Sequence, residues 1–424
     1  MRSVLKVKRN GKIKEVNREG VRAAGGSAVD VNLDLRIEMI QALIPLALNE
    51  VNTMLQEDLE RLTGKKYRRE GGHPGLYRWG EQWGSVYLSD QKVAVKVPRV
   101  RDAVGKKAVP LPSYQGLQNA RRANDLALVK VLKGLSCRDY ESCVEAVPET
   151  FGLSASTVSR RFKRASMKKL QELAERDLSA YDIVAIFIDG KTFGADEMVI
   201  ALGVTITGDK VLLGFVQTAT ENEKVCTEFL RSLVERGLKF TQGLLVVIDG
   251  AKGLRKAVTN VFSDRAAVQR CQWHKRENVL EYLPKEKRAT FRRKLQSAYE
   301  QPTYAKAKSG LMKVRSELAL LNQSAVGSLD EGLEETLTLH RLGLVKELGR
   351  SFKTTNCIEN LQSLVEQRTG KVDCWRNSEQ KQRWLATTLL DIEPRLNKVQ
   401  GFHHLKRLRA MIETCLKEGL GKVA

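Results

Sequence analysis

The sequence has few cysteines and few aromatic residues, and it lacks any long apolar run. Its 424 residues include seven cysteines, an odd number without a Cys-x-x-Cys pair, so neither a disulfide framework nor a zinc knuckle is expected. No segment approaches the roughly 20 apolar residues of a membrane helix. The basic N-terminus is not followed by the apolar stretch of a secretory signal. The sequence therefore predicts a cytoplasmic protein with reduced thiols and no membrane contact.

Acidic residues are scarce relative to basic ones. The chain has 72 Lys and Arg against 50 Asp and Glu, which gives a formal net charge of +22. This excess favours a polyanionic partner, because a phosphate backbone binds a basic surface with release of counterions. Nucleic acid is the expected partner. The alternative is a basic protein of another kind, such as one bound to ribosomes.

The N-terminal part of the chain predicts a helix followed by a basic β-ribbon. Residues 32–61 repeat apolar side chains every three or four positions, as one face of a helix does. In residues 64–102, Gly, basic and aromatic residues lead into a strand with alternating Val and Lys. The basic residues expected to contact phosphates are Lys65, Lys66, Arg68 and Arg69. The neighbouring aromatics, among them Trp79 and Trp83, could stack on bases; alternatively, they only pack the ribbon.

Residues 137–165 have the pattern of a helix-turn-helix. Gly152 supplies a turn and Ser154 an N-cap for a second helix, whose first exposed positions would meet base edges in the major groove. The residues expected to contact DNA are Ser156, Thr157, Arg160, Arg161 and Lys163. The alternative is a pair of short helices that does not bind DNA.

The middle of the chain changes to an α/β pattern. Three consecutive apolar runs in residues 181–218 predict three strands, and a helix and a fourth buried strand follow. The first and fourth strands are expected to end in Asp189 and Asp249. Residues 272–350 predict an α-helical block, and residues 351–424 predict C-terminal helices with a basic end.

Two aspartates at the ends of buried strands indicate a cation site. A buried carboxylate is unfavourable unless a partner offsets its charge. Magnesium prefers oxygen ligands, and a pair of such ions can activate the attacking oxygen and stabilise the leaving oxygen in phosphoryl transfer. The alternative is that Asp189 and Asp249 only begin turns, as Asp-Gly pairs often do.

Three strings carry a resemblance to a known family. Mutator-type bacterial insertion-sequence transposases, which are DDE recombinases with an RNase H-like α/β core, contain strings that resemble VVIDGAKGL, VQRCQWHKRENVLEYLP and TTNCIENLQSLVEQRT. The resemblance implies Asp189, Asp249 and Glu359 as the catalytic, metal-binding acids. It also implies that the helical block between Asp249 and Glu359 is the family's insertion domain, with Cys271 and His274 as its Cys-x-x-His signature.

The third acid has competitors in the same C-terminal helices. Glu359 is preferred because it follows a Thr-Thr-Asn that could cap a helix, which would place Asn356 near the site. Glu366 lies two helical turns further on and could share the same face. Glu379 is a further candidate.

The Cys-x-x-His signature could be mistaken for half of a zinc site. Zinc needs four ligands, and no second such pair lies nearby in the sequence. We therefore expect Cys271 and His274 to pack where the insertion begins, with His274 steadying the acids. Trp273 between them is expected in the core, with stacking on an unpaired base at a transposon end as the alternative.

These patterns and the resemblance together predict a DNA transposase. Its expected regions are an N-terminal helical and ribbon region (1–120), a helix-turn-helix-like region (121–178), the first part of the core (179–271), the insertion (272–350) and the C-terminal part of the core (351–424). It is expected to bind double-stranded DNA at the terminal inverted repeats and at the target, using Mg²⁺, for which Mn²⁺ can substitute. The resemblance implies a homodimer or larger assembly on DNA, associated with the bacterial nucleoid.

Three other functions stay open at this point. A non-catalytic, domesticated transposase would bind DNA without cutting it. Another RNase H-like nuclease would cut by DNA structure without requiring an end sequence. A recombinase that forms a covalent protein-DNA bond would need a hydroxyl nucleophile, such as Tyr299 or Tyr304.

Overall fold

The structure is a computed structural model that describes most of the chain. The described residues are 5–9, 12–16, 47–67, 72–89, 91–140, 143, 150–151, 153–194, 196–219 and 222–417. The chain divides into two compact units, the first formed by Met1–Val131 with Leu135–Phe162 and the second by Leu132–Gly134 with Lys163–Ala424. No helix within the described ranges is both long enough and apolar enough to cross a membrane.

The first unit contains two long strands, several short strands and four helices or parts of helices among its described residues. Its elements are β1 (Leu5–Arg9), β2 (Lys12–Val16), α1 (47–63), β3 (Leu76–Leu88), β4 (Gln91–Asp102), β5 (Ala108–Val109), α2 (Pro112–Leu117), α3 (Arg121–Leu132), β6 (Thr150–Phe151) and the start of α4 (Ala155–Ala174). The antiparallel pair of β1 and β2 was not expected from the sequence. The predicted helix is confirmed over its described part, where Val51, Leu55 and Leu59 are buried on one face. Its residues before position 47 lie outside the described ranges.

The predicted ribbon is formed by β3 and β4. They pair antiparallel, with an irregularity between Arg78 and Glu81. Val95 and Val97 of β4 lie in one hydrophobic cluster with Leu55 of α1, whereas Lys96 between them is exposed. Because alternate side chains of a strand point to opposite faces, one face of the ribbon is apolar and the other is basic.

The second unit contains a five-stranded mixed sheet, which confirms the α/β fold class. The strands are β7 (Ile183–Phe193), β8 (Asp196–Thr205), β9 (Lys210–Thr218), β10 (Leu244–Ile248) and β11 (Ala266–Arg270). Their order across the sheet is β11-β10-β7-β8-β9. β7 pairs antiparallel with β8, and β8 pairs antiparallel with β9, whereas β10 pairs parallel with both β7 and β11.

Both faces of this sheet are covered by helices. On one face, Ile186 and Ile188 cluster with Leu230 of α5 (Glu223–Glu235) and with residues of α6 (Lys252–Phe262). On the other face, Phe187 clusters with residues of the C-terminal helices α14 (Asn356–Thr369), α15 (Ser378–Ile392) and α16 (Leu405–Lys417). Burial on both faces explains why β7 is a continuous apolar run rather than an alternating one.

One predicted strand boundary was wrong. The sequence placed the end of the first core strand at Asp189, but β7 continues to Phe193. The reason is the hairpin with β8, whose pairing extends from Asp189 opposite Ile200 to Phe193 opposite Asp196. On its other side, β7 pairs with β10 only up to Ile188. Asp189 therefore lies within a strand, at the point where the parallel pairing stops.

The helical block has its own hydrophobic core. Its helices are α7 (Gln272–Glu281), α8 (Lys285–Tyr299), α9 (Tyr304–Ala319), α10 (Gln323–Asp330), α11 (Leu333–Thr336), α12 (Thr338–Arg341) and α13 (Val345–Phe352). One cluster extends from Val279 to Leu337. Leu339 and Leu348 instead belong to the core of the sheet. The packing thus changes at about α12, earlier than the boundary at residue 350 that the sequence predicted.

A buried lysine joins the first and fourth helices of this block. Lys275 in α7 is only 3% exposed, and its Nζ donates a hydrogen bond to the carbonyl oxygen of Ser328 in α10 at 2.7 Å. Burial, with a further contribution from the Arg270 guanidinium, lowers the pKa of the Lys275 ammonium group to about 8.

Candidate active site

The first two predicted acids lie side by side at one edge of the parallel strands. Ile188 of β7 pairs in register with Ile248 of β10. The residues that follow them, Asp189 and Asp249, therefore start from neighbouring backbone positions about 4.8 Å apart. Asp189 is buried and Asp249 is half-buried. The Oδ1 atom of Asp249 accepts a hydrogen bond from the Ala251 backbone N–H at 3.0 Å. Asp249 therefore also begins a turn, and this turn fixes the position of its carboxylate.

Asp189 is in an environment that disfavours a second negative charge. Burial is the largest effect and the Asp249 carboxylate the next, and together they raise the pKa of Asp189 to about 7. The nearby His274 and a hydrogen bond from Gln362 act in the opposite direction. The Gln362 amide donates to Asp189 Oδ2 at 3.0 Å and to the Gly190 carbonyl oxygen at 3.3 Å.

The third predicted acid, Glu359, lies in the first turn of α14. Its Oε1 atom accepts a hydrogen bond from the Thr355 hydroxyl at 2.6 Å, and it lies 3.9 Å from Nε2 of His274. Thr355 occupies the N-cap position, but its side chain makes no capping hydrogen bond; in the predicted Thr-Thr-Asn segment, it is the Thr354 hydroxyl that accepts from the Asn356 N–H, at 3.5 Å. The Thr355 hydroxyl is used to hold Glu359 instead. Asn356, expected near the site, is exposed at the first position of the helix.

The two competing glutamates have other partners. Glu366 forms an ion pair with Lys191 at 2.8 Å, and its side chain is 69% exposed. Glu379 lies in α15 and pairs with Arg383 at 3.1 Å. Of the three candidates, only Glu359 has a hydrogen bond to Thr355 and acts electrostatically on the buried Asp189.

Cys271 and His274 join the acids to the start of the helical block. The Cys271 sulfur accepts a hydrogen bond from the backbone N–H of Thr355 at 3.4 Å and caps α7 through the N–H of His274. It also lies 3.4 Å from the Thr355 hydroxyl oxygen, whose single proton is donated to the closer Glu359. Thr355 Oγ1 also lies 3.3 Å from Nδ1 of His274. The expectation that His274 packs at this junction beside the acids is confirmed by these contacts.

These contacts also shift the pKa values of His274 and Cys271. A hydrogen bond with Cys271 is the largest of the effects that raise the pKa of His274 to about 9, and the Glu359 and Asp189 carboxylates act in the same direction. Burial raises the pKa of the Cys271 thiol, but hydrogen bonds from His274 and Thr355 outweigh it, and the net direction is downward. His274 therefore supplies a positive charge beside the carboxylates at neutral pH.

A zinc site is not complete in this cluster. Ligand atoms of Cys271, His274 and Glu359 lie within 4.8 Å of one another, and among the described residues no fourth group joins them. A structural zinc ion requires four ligands. The sulfur already accepts hydrogen bonds from the backbone N–H groups of His274 and Thr355.

Trp273 was expected in the core and is instead 46% exposed. Its ring meets the His274 ring edge to face, with centroids 4.8 Å apart. The residue is the second of α7, between the buried Gln272 and the half-buried His274. The stacking alternative for Trp273 thus stays a prediction.

Sequence reasoning missed Gln362 and the role of Thr355. Gln362 lies three residues after Glu359 in the same helix, and residues at this spacing share a face, so the spacing could have identified it. The Thr355 hydroxyl could not have been assigned in this way, because its acceptor depends on the rotamer in the folded protein.

The predicted recognition helix is α4, and one of its predicted DNA contacts was wrong. Ser156, Arg160 and Lys163 are exposed, and Thr157 is half-buried. Arg161 is only 5% exposed, and its guanidinium lies over the ring of Tyr87, 5.5 Å from the centroid. It points to the buried side of the helix, since it follows Arg160 by about 100° of helical rotation.

The basic face of the ribbon carries exposed aromatic side chains. Trp83 is 70% and Trp79 42% exposed, so the alternative that they only pack the ribbon does not hold for them. Lys96 lies over the Trp83 ring at 5.5 Å, and Arg101 over the Trp79 ring at 4.4 Å. Lys65 and Lys66 are exposed, and Arg68 and Arg69 lie outside the described residues.

The two tyrosines considered as nucleophiles are engaged within the helical block. Tyr299 is 3% exposed, and burial raises the pKa of its hydroxyl to about 12. The Tyr304 hydroxyl donates a hydrogen bond to Glu334 at 2.6 Å. Burial keeps the Tyr299 hydroxyl from reaching DNA, and the Tyr304 hydroxyl lies in a cluster with the ion pair of Lys308 and Glu334.

Comparison with known proteins assigns the chain to a family. A family model described as Transposase, Mutator family, matches residues 29–397. The chain is 26% identical to the transposase for insertion sequence element IS256 in transposon Tn4001 of Staphylococcus aureus, over 85% of this chain and 95% of that protein. It is 26% identical to the transposase for IS905 of Lactococcus lactis, over 80% and 86%, and 30% identical to that for IS6120 of Mycolicibacterium smegmatis, over 56% and 74%. The chain therefore belongs to the Mutator family of transposases.

Proposed function

We propose that the protein cuts DNA at the ends of its own insertion sequence and joins these ends to target DNA, using Asp189, Asp249 and Glu359. As a member of the family, it is a DNA-cleaving and strand-transferring enzyme. The observation that supports the three residues is the convergence of carboxylates from β7, the end of β10 and α14. The sheet order, with three antiparallel strands followed by two parallel ones, supports an RNase H-like core.

The donor set fits magnesium. All three groups offer carboxylate oxygens, and among the described residues no Lys or Arg forms an ion pair with them. The mutual repulsion of Asp189 and Asp249, which contributes to the raised pKa of Asp189, would be relieved by a cation between them. Asp189, Asp249 and Glu359 would hold Mg²⁺, or Mn²⁺ in its place. When bound, these ions supply Lewis-acid activation of the attacking oxygen and stabilisation of the leaving oxygen.

The neighbouring side chains position the acids. Gln362 holds one oxygen of Asp189 by its amide, and Thr355 holds Glu359 by its hydroxyl. His274, with its raised pKa, offsets part of the negative charge that gathers where a DNA phosphate must bind. Preorganised groups of this kind lower the barrier because they need not reorient during the reaction.

Two displacements at phosphorus account for cutting and joining. In the first, water attacks a phosphodiester, and the P–O3′ bond breaks to leave a 3′-hydroxyl and a 5′-phosphate. In the second, that 3′-oxygen loses its proton and attacks a phosphodiester of the target, forming a new P–O bond while the target's 3′-oxygen leaves and takes up a proton. No protein side chain becomes bonded to DNA.

The first turns of α4 are proposed to read the inverted repeats. Ser156 and Arg160 are exposed near the start of this helix, where recognition helices contact base edges. Arg160 donates a hydrogen bond to the Thr157 hydroxyl at 3.3 Å, which orients its guanidinium along the helix. Lys163, one turn from Arg160, is suited to a phosphate.

The aromatic and basic face of the ribbon is proposed as a second DNA contact. Trp79 and Trp83 are each covered on one side by a cation, and Lys65 and Lys66 lie exposed at the start of the ribbon. Cations beside exposed aromatic rings suit a phosphate backbone and its bases. Because two ends of one element must be processed together, a homodimer or larger assembly on DNA is part of the proposal.

The test uses purified protein, labelled DNA carrying the two ends of the element, and Mg²⁺ or EDTA, with products resolved on a denaturing gel. Asp189→Asn, Asp249→Ala and Glu359→Gln should each retain binding to the ends and lose nicked and joined products. Glu366→Gln is the matched control, because it removes a carboxylate from the same helix as Glu359, and it should retain activity.

Three outcomes would contradict the proposal. Normal strand transfer by Asp189→Asn would remove that residue from the site. Binding without products in Mg²⁺ would indicate a non-catalytic DNA-binding protein. Metal-dependent cutting that ignores the end sequence would indicate a structure-directed nuclease.

A further inference from the structure

The helical block contains an open groove that the proposed chemistry does not use. It lies between α8 and α9 and has a volume of about 870 Å³. The two helices approach closely at its floor, where a Cβ atom added to Gly310 would lie 3.0 Å from the Cβ atom of Ala298. The residues at this crossing, Gly310 and Ala298, are small, so the helices lie close together there and the sides of the groove are formed by longer side chains.

The rims of this groove are basic. Residues 285–313 hold nine Lys and Arg against two Glu. Among the described residues, several of these cations are paired, such as Arg292 with Glu277 and Lys308 with Glu334. Those that line the groove, are exposed and have no ion pair within the described structure are Arg293, Lys306 and Lys313. The acid of the lining, Glu317, is already paired with Lys294.

Three unpaired cations on facing helices repel one another unless an anion lies between them. Lys306 and Lys313 are seven residues apart, which places them on the same face of α9 two turns apart. Arg293 extends from α8 on the other side of the groove. Such a row of charges suits a chain of phosphates better than a single small anion.

We propose that this groove binds the sugar-phosphate backbone of double-stranded DNA during transposition. The inference rests on the proposed function, which makes DNA the substrate of the same unit. Between the cations the lining offers the hydroxyls of Thr290, Ser297 and Ser309, which can donate to phosphate oxygens. The contact is expected to be independent of sequence, because phosphate oxygens are the same at every base pair.

An acidic protein is a poorer fit to the same groove. Stable protein interfaces are centred on buried aromatic or large apolar anchors. The lining of this groove contains none that is exposed: its apolar members are alanines, Gly310 and the buried Val314.

The experiment replaces the three cations by glutamine in the full chain, as Arg293→Gln, Lys306→Gln and Lys313→Gln together. A control variant with the same loss of charge carries Lys239→Gln, Lys346→Gln and Lys406→Gln, three exposed lysines of the same unit that lie outside the groove. Binding to element-end DNA and to a random duplex of equal length is measured between about 50 and 200 mM salt.

The groove variant is expected to bind both duplexes more weakly, with the slope of log K against log salt reduced by about 2.7, since each phosphate contact contributes roughly 0.9. The control should keep the wild-type slope. In parallel, acetylation of lysines read by mass spectrometry should reveal protection of Lys306 and Lys313 by DNA, with Lys346 still reactive.

Equal slopes for the groove variant and the control, or equal acetylation of Lys306 and Lys313 with and without DNA, would overturn the proposal. Both readouts are independent of metal and of cleavage. If wild-type protein bound DNA with protected groove lysines but never cut it, the proposed function would fail while the groove assignment stood.

Discussion

The hydroxyl of Thr355 offers a direct test of how the third acid is positioned. Thr355 is fully buried, and its hydroxyl donates to Glu359 at 2.6 Å. Thr355→Val keeps nearly the same shape and removes this donor. A hydrogen bond to a charged group contributes about 1.5–3 kcal/mol. If all of it serves to hold Glu359 in the transition state, cleavage should slow by about 10- to 150-fold.

The assay is single-turnover cleavage of labelled element-end DNA at saturating Mg²⁺, so that the rate reports the chemical step and not DNA binding. Thr355→Ser is the matched control, since it keeps the hydroxyl and removes only a methyl group. Because the Thr355 hydroxyl also lies beside the Cys271 sulfur, thermal unfolding of both variants is measured, and rates are compared well below the lower midpoint.

The expected result is a slow Val variant and a Ser variant close to wild type. A Val variant that cuts within about twofold of the Ser variant would refute the reasoning, because a twofold change corresponds to only about 0.4 kcal/mol. The hydroxyl would then be a structural partner of Cys271 with no effect on Glu359.

Three further predictions follow from individual side chains. The pKa of Lys275 is about 8 in the folded protein and 10.5 in the unfolded chain, so between these values the unfolded chain binds the extra proton and stability rises with pH. The free energy of unfolding should therefore increase by about 2 kcal/mol between pH 7 and 9.5 because of this group. Urea unfolding should give this increase for wild type but not for Lys275→Met. Arg160→Gln should weaken binding to element-end DNA by about 1–3 kcal/mol relative to a random duplex, whereas Arg161→Gln should mainly lower the thermal midpoint; equal effects on DNA binding would contradict the burial of Arg161. Trp83→Ala should weaken DNA binding without loss of stability, because this side chain is 70% exposed, and unchanged affinity would exclude it as a contact.

The strands that carry the site could be predicted from sequence because their signals are local. Continuous apolar runs identified β7 to β10, and two aspartates at the ends of such runs identified Asp189 and Asp249. The length of β7 could not be predicted, since its extension past Asp189 depends on pairing with β8. Pairing is a property of two segments and is not visible in either one alone.

Side-chain direction was the other limit. Arg161 and Lys163 appear equivalent in the sequence, yet one is buried over Tyr87 and the other is exposed. Trp273 is of a residue type usually found in a core, but its side chain is exposed between the buried Gln272 and Lys275 of α7. In both cases the helix was expected and the burial of this one side chain was not, because burial at each position is set by the surface against which the helix packs.

The backbone contacts of the Cys-x-x-His segment connect the strand before Asp249 to the helix that carries Glu359. The N–H of Cys271 donates to the carbonyl oxygen of Ile248 at 2.8 Å, directly before Asp249, and the N–H of Gln272 donates to Lys353 at 2.9 Å, shortly before α14. The Cys271 sulfur then accepts from Thr355. A single turn of chain thus connects the second acid to the helix of the third, and the helical block begins from that turn. The contacts of this turn therefore help to fix the spacing between Asp249 and Glu359, on which the proposed metal site depends.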